Sequence, residues 1–239
     1  MKTFKHSGDL GDIIYSLPTI KAFGGGVLYL DPTGGLDDPV VCWGNGGRYK
    51  NTSLTKKSID LIRPLLLQQK YIKAVEEWNT SIKEDYNLNN FRKSLVNNNL
   101  SDSHLTAFGL PQKHRDTSWL DVDFPLLNPN SKKILIARST RVQSNHTFWE
   151  NLEDNIIENS AFVGTKFEYD VFCNTFRFKI DFWDLDILNL ARAIKGCDLF
   201  ISNQTFGSAL AEGFKKNLIQ EVYRLCPLAI FNRKGATYV

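Results

Sequence analysis

No apolar run in this chain of 239 residues approaches the roughly 18 that a membrane-spanning helix needs. Lys2 and Lys5 open the chain, but glycines and aspartates interrupt any apolar segment behind them, so no signal peptide is expected. Cysteine is scarce. Cys42, Cys173, Cys197 and Cys226 are far apart with no Cys-x-x-Cys, which argues against a zinc site or a disulfide framework. They read as reduced thiols of a cytoplasmic protein. The four histidines show no ligand spacing. No Gly-x-x-x-x-Gly-Lys-Ser/Thr loop is present, which argues against a P-loop kinase. Charge of one sign is in small excess, at +3, and the basic pairs are scattered. They read as solvated surface rather than a nucleic-acid stripe, although a mild positive field suits a phosphate-bearing ligand.

What is present is an ordinary globular composition, 42% apolar and 23% charged, in a chain long enough for one large or two small domains. The organising stretch comes early: His6-Ser7-Gly8-Asp9-Leu10-Gly11-Asp12-Ile13-Ile14-Tyr15-Ser16-Leu17-Pro18. A strand-like run, 1–5, precedes it, and a helix-like run ends near Phe23. Gly8 and Gly11 let the backbone turn sharply and approach a ligand closely. Asp9 or Asp12 caps the coming helix, whose free N–H groups favour an anion. Ile13, Ile14, Leu17 and Ile20 share one helical face and point inward.

The middle of the N-terminal half is less regular. A strand is expected over 27–31, then a Gly/Pro/Asp-rich loop region, 32–47, holding one short strand candidate at 40–43, which could line an acceptor site. A helix over 58–69 and a strand over 71–75 follow. The Asn-rich stretch 87–99 carries no clear pattern. A helix over 102–108 and a half-buried alternating strand over 119–124 complete the half. Pro125 to Ser131 is the linker candidate.

Beyond it strand and helix alternate, as in a parallel doubly wound sheet. Strands are expected over 134–137, 161–163, 177–180, 198–202 and 218–222. The helices between them are expected over 148–158, 166–173, 184–195 (capped by Asp184) and 205–216. Ligands of such sheets bind at the carboxyl ends of the strands. The stretch Ser202-Asn203-Gln204-Thr205-Phe206-Gly207-Ser208 ends a buried strand and opens a helix, so Thr205 and Ser208 can cap a first turn suited to a pyrophosphate. Glu212 follows one turn later, where a carboxylate could accept ribose hydroxyls. Arg138-Ser139-Thr140-Arg141 follows another strand, and Arg138 and Arg141 are candidates to grip a diphosphate. Two Asp-x-Asp strings, Asp121-Val122-Asp123 and Asp184-Leu185-Asp186, are explained by a solvent-facing strand and a helix start rather than by a metal.

Gly11-Asp12 behind a first strand, followed by Leu17-Pro18, resembles the N-terminal motif of glycosyltransferase family 9, the ADP-heptose:lipopolysaccharide heptosyltransferases. The turn from Ser202 to Ser208 resembles the donor turn of the same family. The resemblance implies a GT-B-type fold: two facing Rossmann-like α/β halves with mostly parallel sheets. It divides the chain into an acceptor half, 1–128, a nucleotide-sugar half, 129–222, and a tail, 223–239, packing back toward the N-terminal half. It implies an inverting, metal-independent glycosyltransferase with Asp12 as general base. His6, Gly8, Asp9 and Gly11 would line the acceptor site. Arg138, Thr140, Arg141, Gly164, Thr165, Ser202, Asn203, Gln204, Thr205, Ser208 and Glu212 would hold a nucleoside-diphosphate sugar, with Gly164-Thr165 beside the base. No cofactor is expected.

Gln204 and Ala209 depart from the family's usual Asp and His, which points away from heptose and toward a compact, divergent branch, largely of phage and environmental sequences. The acceptor is expected to be a glycan, a glycolipid or a modified nucleobase. Two alternatives stand beside this reading: a glycosyltransferase acting on a hydroxymethylated base in DNA, and a non-catalytic nucleotide-sugar-binding protein. The chain is expected to be a monomer.

Overall fold

The computed structural model of the protein describes residues 1–33, 54–97, 99–144 and 146–239. The strand candidate 40–43 and most of the expected acceptor loop lie outside the described residues. The chain divides into two compact units, Met1–Asp121 and Val122–Val239.

The first unit contains β1 (Lys2–His6), α1 (Leu10–Ala22), β2 (Gly26–Leu30), α2 (Lys56–Leu67), β3 (Ile72–Glu77), β4 (Tyr86–Asn87) and α3 (Leu100–Ala107). Its sheet has the order β3-β2-β1-β4, with every pairing parallel. The apolar face read from the sequence builds the core: Ile13, Ile14, Leu17 and Ile20 of α1 are fully buried, as are Phe4 and Leu28 of the sheet. Burying one such side chain contributes about 1.5–3 kcal/mol. The patternless stretch after residue 86 forms the two-residue β4 and a 3-10 helix, Leu88–Ser94.

The second unit contains β5 (Ile134–Ala137), α4 (His146–Glu150), α5 (Asp154–Glu158), β6 (Ser160–Phe162), α6 (Lys166–Phe176), β7 (Asp181–Phe182), α7 (Ile187–Gly196), β8 (Leu199–Asn203), α8 (Phe206–Phe214), β9 (Leu218–Glu221) and β10 (Ala236–Tyr238). Its six strands run in the order β10-β9-β8-β5-β6-β7, all parallel. Counted from β5, that is the 3-2-1-4-5-6 order of doubly wound dinucleotide folds. Trp149, Phe162, Phe172, Ile136 and Ile201 fill one side of the sheet.

Four local expectations are corrected. The alternating run 119–124 joins no strand ladder; Trp119, Leu120 and Val122 are buried along an extended segment instead. The helix expected over 148–158 is two short ones, interrupted between Glu150 and Asp154. The strand expected over 177–180 lies just beyond, at β7, because Arg177 takes a left-handed conformation (φ 59°) that ends α6. Asp186, not Asp184, caps α7, accepting from the Asn189 N–H at 2.7 Å.

The segment 223–239, expected as a tail returning toward the N-terminal half, is built into the second unit. β10 pairs with β9 at the sheet edge. Arg233 Nε donates to Glu212 at 2.7 Å, and the Tyr238 hydroxyl donates to the other oxygen of Glu212 at 2.8 Å.

A single buried carboxylate ties the carboxyl ends of this sheet together. Glu221, last in β9, receives both Nε and Nη2 of Arg138 (2.9 and 3.1 Å), the Ser144 N–H (2.5 Å) and the Trp149 indole N–H (2.8 Å). Stripping one partner from a buried ion pair leaves an uncompensated charge, so Glu221→Gln is expected to cost about 3–5 kcal/mol of unfolding free energy. Adding Arg138→Met to that variant should recover part of the loss. Urea unfolding of the three proteins checks this, and an unchanged midpoint for Glu221→Gln would remove the hub from the account of stability.

Candidate functional site

Each sheet reverses its strand order once, and each reversal carries one of the motif stretches. In the first unit the reversal lies between β1 and β4. In the second it lies between β5 and β8. Crevices outside the carboxyl ends of the strands at such points are where open α/β sheets bind ligands.

At the first reversal, β1 delivers His6 and the chain turns through Ser7-Gly8-Asp9 into α1. The His6 Nδ1 accepts the Gly8 N–H at 2.8 Å, and the side chain of Asn89, just past β4, accepts the Ser7 N–H at 3.1 Å. Only glycine fits at position 8, because a Cβ there would sit 2.5 Å from His6 Cε1 and 2.8 Å from Asp12 Oδ2. Asp9 is the N-cap residue, but its side chain makes no capping bond; its carbonyl accepts the Ile13 N–H at 3.1 Å. Among the described residues, the N–H groups of Leu10 and Gly11 make no hydrogen bond, which leaves the helix start open to an acceptor oxygen. Gly11 itself faces open space.

Asp12, in the first turn of α1, pairs with Arg92 through Oδ2 and Nη2 at 3.2 Å, with 19% of its side chain exposed. Arg92 lies against the Phe91 ring, Phe91 stacks on His104 at 4.0 Å between ring centroids, and His104 lies 5.3 Å from His6. His6 Nε2, Ser7 Oγ and Arg92 Nε are buried with no partner among the described residues. Arg92 and His104 were missed by the sequence reading, because the stretch that carries Arg92 shows no periodicity and its contact with Asp12 spans 80 positions.

At the second reversal, Arg138 to Arg141 follow β5, and Gln204 and Thr205 follow β8. Asn203 fastens the two together. Its Oδ1 accepts the Ser139 N–H (2.9 Å), and its Nδ2 donates to the carbonyls of Ser139, Arg141 and Val142 (3.0, 2.9 and 3.3 Å). These bonds hold Val142 at φ 45°, a strained conformation for a β-branched residue. Thr205 caps α8 in a reciprocal box with Ser208, and Gly207 lets the helix approach β8, since a Cβ there would lie 2.6 Å from Phe200 Cζ. The N–H groups of Phe206 and Gly207 make no hydrogen bond among the described residues, and the buried Ser202 Oγ has no partner among them either. Thr140 and Arg141 are exposed, as are Gly164 and Thr165, the latter capping α6.

Three expected donor ligands are committed elsewhere. The Arg138 guanidinium is buried against Glu221. Glu212, expected on a ribose, is fully buried between Arg233 and Tyr238. Gln204 holds the segment after β9, donating to the Cys226 carbonyl at 3.1 Å and accepting the Tyr223 N–H at 2.5 Å. The Asp-x-Asp strings are likewise engaged, Asp123 with Arg192 and Asp186 as a cap. Among the described residues no three His, Cys, Asp or Glu side chains converge as a metal cluster would.

No family model matches the chain, and no curated protein matches it in sequence. Solved structures do share its fold. A glycosyl transferase of family 9 from Veillonella parvula superposes with a TM-score of 0.63 at 10% identity, over 99% of this chain and 84% of that one. The heptosyltransferase WaaC of E. coli, solved with ADP, gives 0.56 at 8% identity, over 100% and 92%. The ADP-heptose lps heptosyltransferase II of E. coli gives 0.51 at 11% identity, over 100% and 90%. The chain therefore has a heptosyltransferase-like α/β fold of the GT-B kind, with two parallel sheets.

The buried imidazoles have a consequence for stability. Burial, with the Arg92 charge beside it, holds His6 down to about 3, and burial followed by the His6 and Arg92 charges holds His104 well below the usual range. Both rings are therefore neutral when folded, while the unfolded chain takes up protons below about pH 6.5. Stability is full above that value and falls as the pH drops, by about 1.4 kcal/mol per pH unit for each histidine. Urea unfolding at roughly pH 7 and pH 5, above the range of most carboxylates, checks this. Equal stability at the two values would contradict neutral burial.

Proposed function

We propose that the protein is an inverting glycosyltransferase that moves a sugar from a nucleoside-diphosphate sugar to an acceptor hydroxyl. The observation that carries this reading is the placement of both motif stretches at the strand-order reversals of their own sheets, in a chain with the fold of family 9 enzymes. In the first unit, Asp12 is the general base that takes the proton of the acceptor hydroxyl as it attacks the anomeric carbon. His6, Gly8, Asp9 and Gly11 shape the acceptor site around it, and the open N–H groups of Leu10 and Gly11 orient the acceptor.

In the second unit, the donor diphosphate rests on the start of α8, where the N–H groups of Phe206 and Gly207 and the helix dipole neutralise the leaving charge. Thr140 and Arg141 complete the phosphate site, and Gly164 and Thr165 lie toward the base. Arg138, Asn203, Gln204, Ser208 and Glu212 shape this site by holding its loops. Main-chain donors and arginine carry the charge in this scheme, so the reaction is proposed to need no metal.

Two measurements test the reading. Calorimetry with a panel of nucleosides and their diphosphates should show that Thr205→Ala, which removes the cap holding the first turn of α8, weakens a diphosphate by about 0.5–2 kcal/mol, the scale of a lost N-cap, and leaves the nucleoside unaffected. Wild-type diphosphate affinity in that variant would place the donor elsewhere. With a competent sugar nucleotide, Asp12→Asn should keep donor affinity and lose about 100-fold or more in kcat. The same assay in excess EDTA should leave wild-type turnover unchanged; full loss there, restored by Mg²⁺, would bring a metal into the mechanism.

A further inference from the structure

We propose that Arg92 is the positioning residue of the Asp12 carboxylate, an inference that rests on the glycosyl-transfer reading above. Asp12 projects from the first turn of a helix, and a short acidic side chain there has several staggered rotamers open to it. Arg92 Nη2 meets Oδ2 at 3.2 Å and selects one of them. Gly8 leaves the carboxylate its space, since any Cβ there would press on Oδ2 and on the Asp12 Cβ.

The guanidinium is itself fixed from behind. Its Cζ lies 4.8 Å from the centre of the Phe91 ring, Phe91 stacks on His104, and His104 abuts His6 at the end of β1. Phe91, His104 and His6 are all buried, so the stack has little freedom to shift. The two imidazoles are neutral, so they do not repel the arginine. The base therefore hangs from α1 but is aimed by the turn after β4, the strand on the far side of the reversal. Arg92 touches Asp12 alone of the proposed reacting groups, so its effect passes through that carboxylate.

The test compares Arg92→Ala and Arg92→Lys with the wild type. Arg92→Ala should lose on the order of tenfold to 100-fold in kcat, the range of misaligned general-base catalysis, with the KM for the sugar nucleotide unchanged. Arg92→Lys, which keeps the charge, should recover part of that loss, and added guanidinium at non-denaturing concentration should partly rescue Arg92→Ala. A role confined to stability predicts no such rescue. The readout independent of turnover is the rotamer of Asp12, from its Hα–Hβ couplings by NMR: one rotamer in the wild type, averaging in Arg92→Ala. Unchanged couplings in Arg92→Ala, or a kcat equal to wild type, would overturn the proposal. Absence of sugar transfer by the wild type with every donor would defeat the glycosyltransferase reading instead, while the couplings would still decide whether Arg92 orients Asp12.

Discussion

The second unit depends on one buried ion pair. Glu221 ends β9 and Arg138 follows β5, with β8 between them, so the pair spans two strand spacings of about 4.8 Å each across the carboxyl edge of the sheet. Both side chains are almost wholly excluded from water. Such a pair is tolerable only if the remaining lone pairs and protons are satisfied. Glu221 meets that condition by taking hydrogen bonds from Ser144 and Trp149 as well. The loop after β5 is thereby held at Arg138 and again at Ser144. Asn203 holds the carbonyls between them. A loop held at these points has little conformational entropy left to lose.

The two reversals differ in how their charged side chains are engaged. In the second unit the buried charged side chains pair with one another, and the groups left open among the described residues include the N–H groups at the start of α8 and the Ser202 hydroxyl. In the first unit the partnerless atoms include side-chain groups, His6 Nε2, Ser7 Oγ and Arg92 Nε. Main-chain donors at a helix start suit an anionic group such as a diphosphate.

Much of this was legible in the residues themselves. The periodicity of Ile13, Ile14, Leu17 and Ile20 marks the buried face of α1, and Thr205 followed by Ser208 marks the cap of α8. Both signals are local, arising within one or two helical turns. The alternation of strands and helices beyond residue 133 carries the parallel sheet for the same reason. Signals failed where one pattern admits two outcomes. The run from Trp119 to Val122 buries Trp119, Leu120 and Val122 without joining a ladder, and only the availability of a neighbouring edge decides between that and a strand.

The sequence by itself determined most of the elements, the turns that open α1 and α8, and the position of Asp12 in the first turn of its helix. The tertiary structure decided the partners. Whether Glu212 met a ribose or Arg233, and whether Arg138 met a diphosphate or Glu221, depended on residues 21 and 83 positions away. The pairing of Arg92 with Asp12 spans 80 positions. Helix and turn preferences act between near neighbours in the chain, whereas a buried charge takes whichever opposite charge the completed sheet brings within reach.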